Sequence, residues 1–391
     1  MKYNFDEIID RTNTSCIKWD NRQEVFGTPS VLPMWVADMD FKSPDFVIDA
    51  IKERLSHPVL GYTQRPSSYF NAITAWVERR NGWKIEKDWL VHTPGVVPGL
   101  NLAVQAFTSP GDAIVIQTPV YPPFFDAIRH NKRKLVENPL KAEADRYVID
   151  FDDLDIKLAD AKAIILSNPH NPVGRVFTET ELRKVGELCV KHNVVIISDE
   201  IHSDIIIAPN KHRHIANLDP RFAERCITFM APSKTFNLAG LSTAFGVISN
   251  AALKSQYLHH LDNVNHLSMG NIAGIIGLEA AYTHGEKWLD QLNAYIACNV
   301  DYLDTEIKAH LPKVKLYKPE GTYLGWLDFN RYNLTEKELD HKLIVEAGLG
   351  LNAGLPFGSN AKGFRRINLA CPLATVQEAV SRLKRVFNDR F

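Results

Sequence analysis

Residues 226–240 read Cys-Ile-Thr-Phe-Met-Ala-Pro-Ser-Lys-Thr-Phe-Asn-Leu-Ala-Gly, an apolar pentapeptide followed by a polar stretch that contains Lys234. The pentapeptide predicts a buried strand, which Pro232 and Ser233 end. A lysine directly after a buried strand lies near the sheet edge, where burial lowers the pKa of its amine and makes the amine a nucleophile. Because a lone lysine is usually a solvated surface charge, this interpretation depends on the residues around it.

Length and composition limit the class of protein. The chain has 391 residues, so we expect two domains or one large domain with an appendage. Its 45% apolar and 23% charged residues are typical of a globular protein. A net charge of −1 gives no electrostatic reason to expect a nucleic acid or a membrane as a partner.

The cysteines and the N-terminus predict a cytoplasmic protein. The five cysteines are widely spaced and form no CxxC motif, as expected for reduced thiols. The first residues lack the apolar segment of a signal peptide, and no stretch approaches the roughly 18 apolar residues of a membrane span. The cysteines form no CxxC motif, and we predict no metal site.

The middle of the chain alternates between short apolar strands and helices. This alternation indicates βαβ units and a mostly parallel sheet that helices cover on both faces. Ligands of such sheets bind beyond the carboxyl ends of the strands. The predicted strands cover residues 90–92, 112–116, 162–166, 194–197, 226–230 and 245–249.

Polar or aromatic side chains follow several of these strand ends, and this placement predicts one shared site. The residues are Tyr121, Asn171, Asp199, His202 and Lys234. They offer an aromatic face, an amide, a carboxylate, an imidazole and an amine.

The stretch Thr93–Gly99 adds a possible anion seat. It combines a strand end, a glycine-containing turn and a helix start, where free backbone N–H groups can face an anion. An ordinary helix entry remains the alternative. The spacing matches neither a Walker motif nor a GxGxxG fingerprint, so it gives no support for nucleotide binding.

The flanking segments predict a second, smaller domain. Residues 1–30 read as an arm on the surface or on a partner. Leu32–Phe41 is either an edge strand followed by an aspartate turn or backbone that lines a ligand cleft. After a helical pattern over 270–310, strands and helices form an α+β tail.

Helix signals are clear at two places. Ser43 with Pro44 at the first helical position predicts a helix over 43–56. Thr178 and Glu181 form a capping-box pattern that predicts a helix over 178–191.

These side chains match what pyridoxal 5′-phosphate requires: a lysine for its aldehyde, an acid for its ring nitrogen, a donor to O3′, a ring to stack on, and N–H groups for its phosphate. At this point the sequence resembles the fold-type I pyridoxal-phosphate enzymes of the class I/II aminotransferase superfamily, over nearly the whole chain. Three motifs carry the resemblance: Asn168-Pro-His-Asn-Pro-Val-Gly174, Ser198-Asp-Glu200 and Ser233-Lys-Thr-Phe236.

Within that superfamily the chain looks like the MalY/PatB-type cystathionine β-lyase branch. Pro33-Met-Trp-Val-Ala-Asp-Met-Asp-Phe41 is similar to the N-terminal signature of the branch. His202 stands where aminotransferases usually have tyrosine, and Ser242 stands where they usually have a phosphate-binding arginine. Ala231 also lacks the hydroxyl of many relatives, so the usual phosphate cup is incomplete.

The resemblance implies a large α/β domain over 46–288 with a mostly parallel seven-stranded sheet. It implies a small α+β domain built from the arm, 1–45, and the C-terminal segment, 289–391. It also implies a homodimer in which Tyr62 reaches the cofactor phosphate of the other subunit.

The resemblance further assigns roles around the cofactor ring. Lys234 is expected to form the Schiff base and to move the Cα proton. Asp199 is expected to keep the ring nitrogen protonated, Asn171 to donate to O3′, and Tyr121 to stack on the ring. His202 is expected to support O3′ or to order Asp199, with a hydrogen-bonded core histidine as the alternative.

Other residues are expected to hold the phosphate and the substrate. The phosphate is expected to bind the backbone of Val96 and Val97, the hydroxyl of Ser233, and Tyr62. The substrate α-carboxylate is expected to bind Arg366 and the backbone of Ala37 and Asp38. Arg366 is preferred to Arg365 because it shares the polar face of its strand with Asn368.

The implied activity is β-elimination from L-cystathionine or a related S-substituted cysteine, which gives a thiol, pyruvate and ammonia. An aminotransferase is the alternative, since it shares every cofactor residue. A regulatory role through contact with a protein partner is the third possibility.

Overall fold

The computed structural model describes residues 2–387. Its helices are α1 (Ile17–Asp20), α2 (Arg22–Phe26), α3 (Asp45–Ser56), α4 (Ser67–Asn81), α5 (Val96–Phe107), α6 (Pro123–Arg129), α7 (Phe151–Leu158), α8 (Glu179–Lys191), α9 (Pro220–Ala223), α10 (Pro232–Thr235), α11 (Ala251–Leu258), α12 (Ile272–His284), α13 (Glu286–His310), α14 (Glu336–Asp340) and α15 (Leu373–Phe387). Its strands are β1 (Leu32–Pro33), β2 (Leu90–Thr93), β3 (Ala113–Ile116), β4 (Lys134–Glu137), β5 (Lys141–Ala142), β6 (Tyr147–Val148), β7 (Ala161–Ser167), β8 (Val195–Asp199), β9 (Cys226–Met230), β10 (Ala244–Val247), β11 (Lys315–Tyr317), β12 (Leu324–Asp328), β13 (Leu349–Gly350), β14 (Asn352–Ala353) and β15 (Phe364–Asn368).

The central sheet has seven strands in the order β2-β10-β9-β8-β7-β3-β4, and only β10 runs antiparallel to its neighbours. The prediction of a mostly parallel seven-stranded sheet is therefore confirmed. Strands β2, β3 and β9 are buried along their whole length, because helices cover both faces of the sheet. Edge strand β4 was absent from the strands predicted from the residue pattern. Its Lys-Leu-Val-Glu sequence is short, and none of its residues is fully buried.

A smaller antiparallel sheet, β11-β12-β15-β14, forms the C-terminal part. The arm joins this part through β1, which pairs in parallel with β13. Leu32–Phe41 thus contains only a two-residue strand. The domain boundaries stay a prediction; the one between residues 288 and 289 falls inside α13.

The packing of α5 helps to position the site. Helix α5 lies close to the sheet, since a Cβ on Gly99 would lie 2.7 Å from Cε1 of Phe229. This contact fixes the N-terminus of α5 at the carboxyl edge of the sheet.

Of the two helix starts predicted from the sequence, one is confirmed and one is wrong. The capping box of Thr178 and Glu181 is confirmed at α8. The predicted start at Ser43 is wrong: α3 begins at Asp45, and Ser43 Oγ instead donates to Asn237 O, 2.9 Å away. Across residues 2–387, no helix combines the length and apolarity needed to cross a membrane.

Candidate active site

Lys234 lies in the single turn of α10, directly after the central strand β9. Its Nζ donates to the carbonyl of Ala37, 2.5 Å away, and the hydroxyl of Tyr323 donates to the same oxygen from 2.9 Å. Burial lowers the pKa of Lys234 to about 8, and the positive charge of Arg366 acts in the same direction. An appreciable fraction of this amine is therefore neutral near pH 7.

Asp199 ends strand β8, the neighbour of β9, and it is fully buried at the same edge of the sheet. Within residues 2–387, its carboxylate accepts one hydrogen bond, from the amide of Ile201 at 3.1 Å. Burial raises its pKa to about 7, against the opposing effects of Ile201 and Lys234. A buried acid with so few partners suits a cationic group placed against it.

Lys234 and Asp199 share a cavity of about 310 Å³ with seven other residues predicted for the site. The strand-end placement predicted from the sequence is thus what the structure has. The nine predicted residues that line the cavity are Ala37, Val96, Val97, Tyr121, Asn171, Asp199, His202, Ser233 and Lys234.

One end of the cavity can receive an anion. The N-cap of α5 is Gly95, which supplies no capping side chain, so the first-turn amides of Val96 and Val97 remain available. Ser242, expected only as the replacement of an arginine, and Thr243, which no sequence motif indicated, both line this cavity. Thr243 Oγ1 is buried and has no hydrogen-bond partner among the described residues.

Arg366 and Arg365 have different surroundings. Arg366 is buried and donates to Asn171 Oδ1 at 3.0 Å, to Asn352 Oδ1 at 2.7 Å and to Trp35 O at 3.0 Å. It forms no ion pair with a carboxylate in residues 2–387, and burial lowers its pKa to about 10. Arg365 points the other way and pairs with two acidic side chains of α14. Arg366 does not itself line the cavity, but of the two arginines it is the one that contacts a lining residue, Asn171.

Tyr62 and Asp38 lie outside the cavity, whereas His202 lines it. Tyr62 does not line the cavity; its side chain is 99% exposed. The Asp38 side chain also lies outside the cavity and binds Arg11 at 2.6 Å. His202 is buried, its Nδ1 has no partner among the described residues, and burial lowers its pKa well below the usual value. His202 is thus neutral near pH 7.

The comparisons with known proteins agree with this geometry. The family profile described as aminotransferase class I and II matches residues 30–383. The chain belongs to this family. Cystathionine β-lyase PatB of Bacillus subtilis is 42% identical over 383 residues, which cover 97% of this chain and 99% of PatB.

Two solved structures are also similar. Cystalysin of Treponema denticola, which contains pyridoxal 5′-phosphate, superimposes with a TM-score of 0.95 at 36% identity over 99% of both chains. A pyridoxal-phosphate-bound C–S lyase of Staphylococcus hominis superimposes with a TM-score of 0.91 at 36% identity, covering 99% of this chain and 98% of that one. The fold is therefore that of the fold-type I transferases.

This member of the aminotransferase family also has a buried cluster, outside the residues that line the cavity, that was not predicted from the sequence. Glu200 Oε2 accepts hydrogen bonds from His212 Nε2 at 2.7 Å and from His214 Nδ1, while Ser198 Oγ donates to Oε1 at 2.8 Å. The histidines lower the pKa of Glu200 to about 2 despite its burial. The sequence offered one signal for this cluster: two histidines, separated by one residue, follow the Asp-Glu pair at the end of β8.

The same cluster is a set of potential metal ligands, with ligand atoms within 4.8 Å of one another. A tetrahedral zinc ion holds its ligand atoms roughly 3.3 Å apart. The 2.7 Å contact between His212 and Glu200 is instead the length of a charge-assisted hydrogen bond. Hydrogen bonding therefore explains the cluster.

Proposed function

We propose that this protein is a pyridoxal-phosphate-dependent C–S β-lyase that cleaves L-cystathionine and related S-substituted cysteines. The observation that carries the proposal is a partly buried lysine amine and a buried carboxyl group without a cationic partner on the walls of one cavity. The 42% identity to a protein named cystathionine β-lyase supports the choice of reaction.

The side chains fit the cofactor group by group. Asp199 lacks the cation that a protonated ring nitrogen would provide. Asn171 uses Oδ1 to accept from Arg366, which leaves its amide N–H free to donate to O3′. The first turn of α5, with the Ser233 hydroxyl, suits the phosphate. Bound pyridoxal phosphate supplies an electron sink for the negative charge that develops at Cα.

The remaining steps belong to this chain's own residues. Arg366 binds the substrate α-carboxylate, helped by the amides of Ala37 and Asp38, which have no acceptor among the described residues. Lys234 removes the Cα proton, a task suited to an amine with a pKa of about 8. The Cβ–S bond then breaks, the thiol leaves, and hydrolysis of the remaining fragment gives pyruvate and ammonia.

The test is pyruvate release from L-cystathionine by purified holoenzyme without any 2-oxo acid. We expect turnover by the wild type, and neither turnover nor the visible absorbance of a lysine-bound cofactor for Lys234→Ala. Borohydride reduction followed by peptide mapping should place the label on Lys234. A label on another lysine, or pyruvate release by the variant, would refute the assignment.

Family membership keeps an aminotransferase as the second candidate. The two reactions share the cofactor residues and differ in where the proton returns. His202 and Ser242 line the cavity where aminotransferases usually have a tyrosine and a phosphate-binding arginine, which favours the lyase. Amino transfer needs a 2-oxo acid acceptor, so turnover that depends on this acceptor would favour the aminotransferase.

We also propose a homodimer. Exposed apolar side chains are concentrated in two neighbouring segments, a pattern typical of an interface. Leu60, Tyr62 and Met269 line one shallow depression of about 420 Å³. The exposed apolar residues of these segments are Val59, Leu60, Tyr62, Val264, Leu267 and Met269.

Subunit mixing tests whether Tyr62 acts on the partner's cofactor. Tyr62→Ala and Lys234→Ala are each expected to have low activity. If Tyr62 acts across the interface, a mixed dimer contains one intact site, and co-refolding the two variants restores part of the wild-type activity. No recovery in a proven mixed dimer would contradict the proposal.

For the compartment we propose the cytoplasm. All five cysteines are free thiols, and Cys189, Cys226 and Cys371 are buried. This is the pattern of a protein kept in a reducing environment.

A further inference from the structure

The backbone segment Trp35–Met39 borders the cavity and is held through its carbonyl groups. Each of its five carbonyl oxygens accepts a hydrogen bond from a side chain distant in sequence. The donors are Arg366 to Trp35, Asn368 to Val36 and Asp38, Lys234 and Tyr323 to Ala37, and Arg11 and Asn237 to Met39. The position of this segment therefore decides where the Lys234 amine is held.

Two cations of the N-terminal arm bind the acidic side chains of this region. Arg11 contacts both oxygens of Asp38, at 2.6 and 3.3 Å, and Asp40 Oδ1 at 2.6 Å. Lys18 Nζ lies 2.6 Å from Asp40 Oδ2 and 3.8 Å from Asp38. Trp19 Nε1 also donates to Asp40.

This four-charge cluster is a buried attachment of the arm between its ends, beside a hydrogen bond from Trp35 Nε1 to the carbonyl of Lys18 and an edge-to-face contact between Phe26 and Trp35. Within residues 6–30, Lys18 is the only buried residue, with 1% of its surface exposed. Ile8 and Ile17 are exposed, so apolar packing contributes little there. The cluster contains two cations and two carboxylates, and its net charge is zero.

We propose that Arg11 and Lys18 are positioning residues for the active site. By pairing with Asp38 and Asp40 they fix the segment Trp35–Met39, so that its carbonyls hold Lys234 and its free amides face the substrate carboxylate. The statement about the substrate rests on the proposed function, whereas the statement about the segment does not.

We expect removal of Arg11 to unbalance the charges of this cluster. Asp38 and Asp40 then share Lys18 alone, and the cluster has a net charge of −1. Repulsion between two partly buried carboxylates moves them apart, and the backbone between them follows. Small displacements of a binding group are costly in an active site.

Hydrogen exchange of the cofactor-free protein tests whether Arg11 and Lys18 fix the segment Trp35–Met39. The amides of Met39 and Asp40 are hydrogen-bonded to Asn237 Oδ1 and Ala370 O, so their protection reports on the segment. We expect Arg11→Gln to speed their exchange about tenfold and Arg11→Lys, which keeps the charge, to have a smaller effect. The matched control is Lys42→Gln, because Lys42 forms an exposed ion pair with Glu7 in the same arm; its exchange should equal that of the wild type.

Steady-state kinetics test whether the position of this segment affects binding of the substrate carboxylate. In Arg11→Gln holoenzyme, KM for L-cystathionine should rise about tenfold while kcat changes less, and Arg11→Lys should recover much of this loss. Unchanged exchange in Arg11→Gln, or an equal change in Lys42→Gln, would overturn the proposal, and so would an unchanged KM in an active lyase. A wild type without lyase activity would refute the proposed function alone, since the exchange experiment needs no substrate. If Arg11→Gln fails to fold, Asp38→Asn, which removes one charge of the same cluster at a partly exposed side chain, gives the same two measurements.

Discussion

Two adjacent carboxylates, Asp199 and Glu200, are both fully buried at the end of one strand, yet their pKa values move in opposite directions. The pKa of Asp199, which faces the cavity, rises to about 7, and that of Glu200, which faces two histidines and a serine, falls to about 2. Burial is common to both, so the partners make the difference. Asp199, which meets no cation among residues 2–387, is therefore the acid that we propose for cofactor binding.

The largest expected effect comes from removing the charge on the cavity side. Asp199→Asn should lower kcat/KM for pyruvate release roughly 10³-fold, because the electron sink needs a protonated ring. The free energy of unfolding of the cofactor-free protein should not fall, since the charged carboxylate is disfavoured there. Activity assays and denaturant unfolding measure the two quantities. Near wild-type turnover would show that Asp199 does not serve the cofactor.

The surroundings of Asp199, here called the cavity side, were predictable from the sequence. The surroundings of Glu200, here called the core side, were not. Asp199, Asn171 and Lys234 follow predicted strands, and the geometry of a parallel sheet brings such strand ends together. His212 and His214 lie in an irregular stretch after β8, where no periodicity indicates what they contact. Their hydrogen bonds to Glu200 arise only from the tertiary fold.

Leu32–Phe41 shows the same limit at the other wall of the cavity. The sequence left two interpretations open, an edge strand or the lining of a cleft. The structure contains both, since β1 covers only two residues and Ala37 then lines the cavity. What holds this backbone are side chains such as Arg366 and Asn368, more than 300 residues away, and no local pattern reveals such donors.

A smaller effect is expected on the core side. Glu200→Gln should lower the free energy of unfolding by about 3 kcal/mol, because it removes the charge that accepts two buried hydrogen bonds. Glu187→Gln is the matched control, since Glu187 pairs with Arg221 on the surface and should unfold like the wild type. Equal stability of Glu200→Gln and the control would mean that the histidine cluster contributes nothing.

The pH dependence should separate the two carboxylates further. Asp199 has a folded pKa of about 7 against an ordinary 3.8, so the cofactor-free fold loses stability as the pH rises through this interval. Between pH 5 and pH 7 the loss should be about 2 kcal/mol, and it should be absent in Asp199→Asn. Glu200 has the opposite sign: its stabilisation is present above its ordinary pKa of 4.5 and disappears as the pH falls toward 2. Denaturant unfolding of the cofactor-free wild type and of Asp199→Asn at several pH values measures this loss of stability. Parallel curves of unfolding free energy against pH would contradict the prediction.

The smallest effect is expected from Ser198, which precedes Asp199 on β8 and donates to Glu200 Oε1. Ser198→Ala should lower the free energy of unfolding by about 1 kcal/mol, the usual value of one buried hydrogen bond. Ser198→Thr keeps the hydroxyl and is the control. Because Ser198 contacts the histidine-bound carboxylate and not Asp199, the affinity for pyridoxal phosphate should stay that of the wild type. A loss of cofactor affinity in Ser198→Ala without a loss in Ser198→Thr would mean that the two carboxylates act as one coupled unit, and the distinction between a cavity side and a core side would then fail.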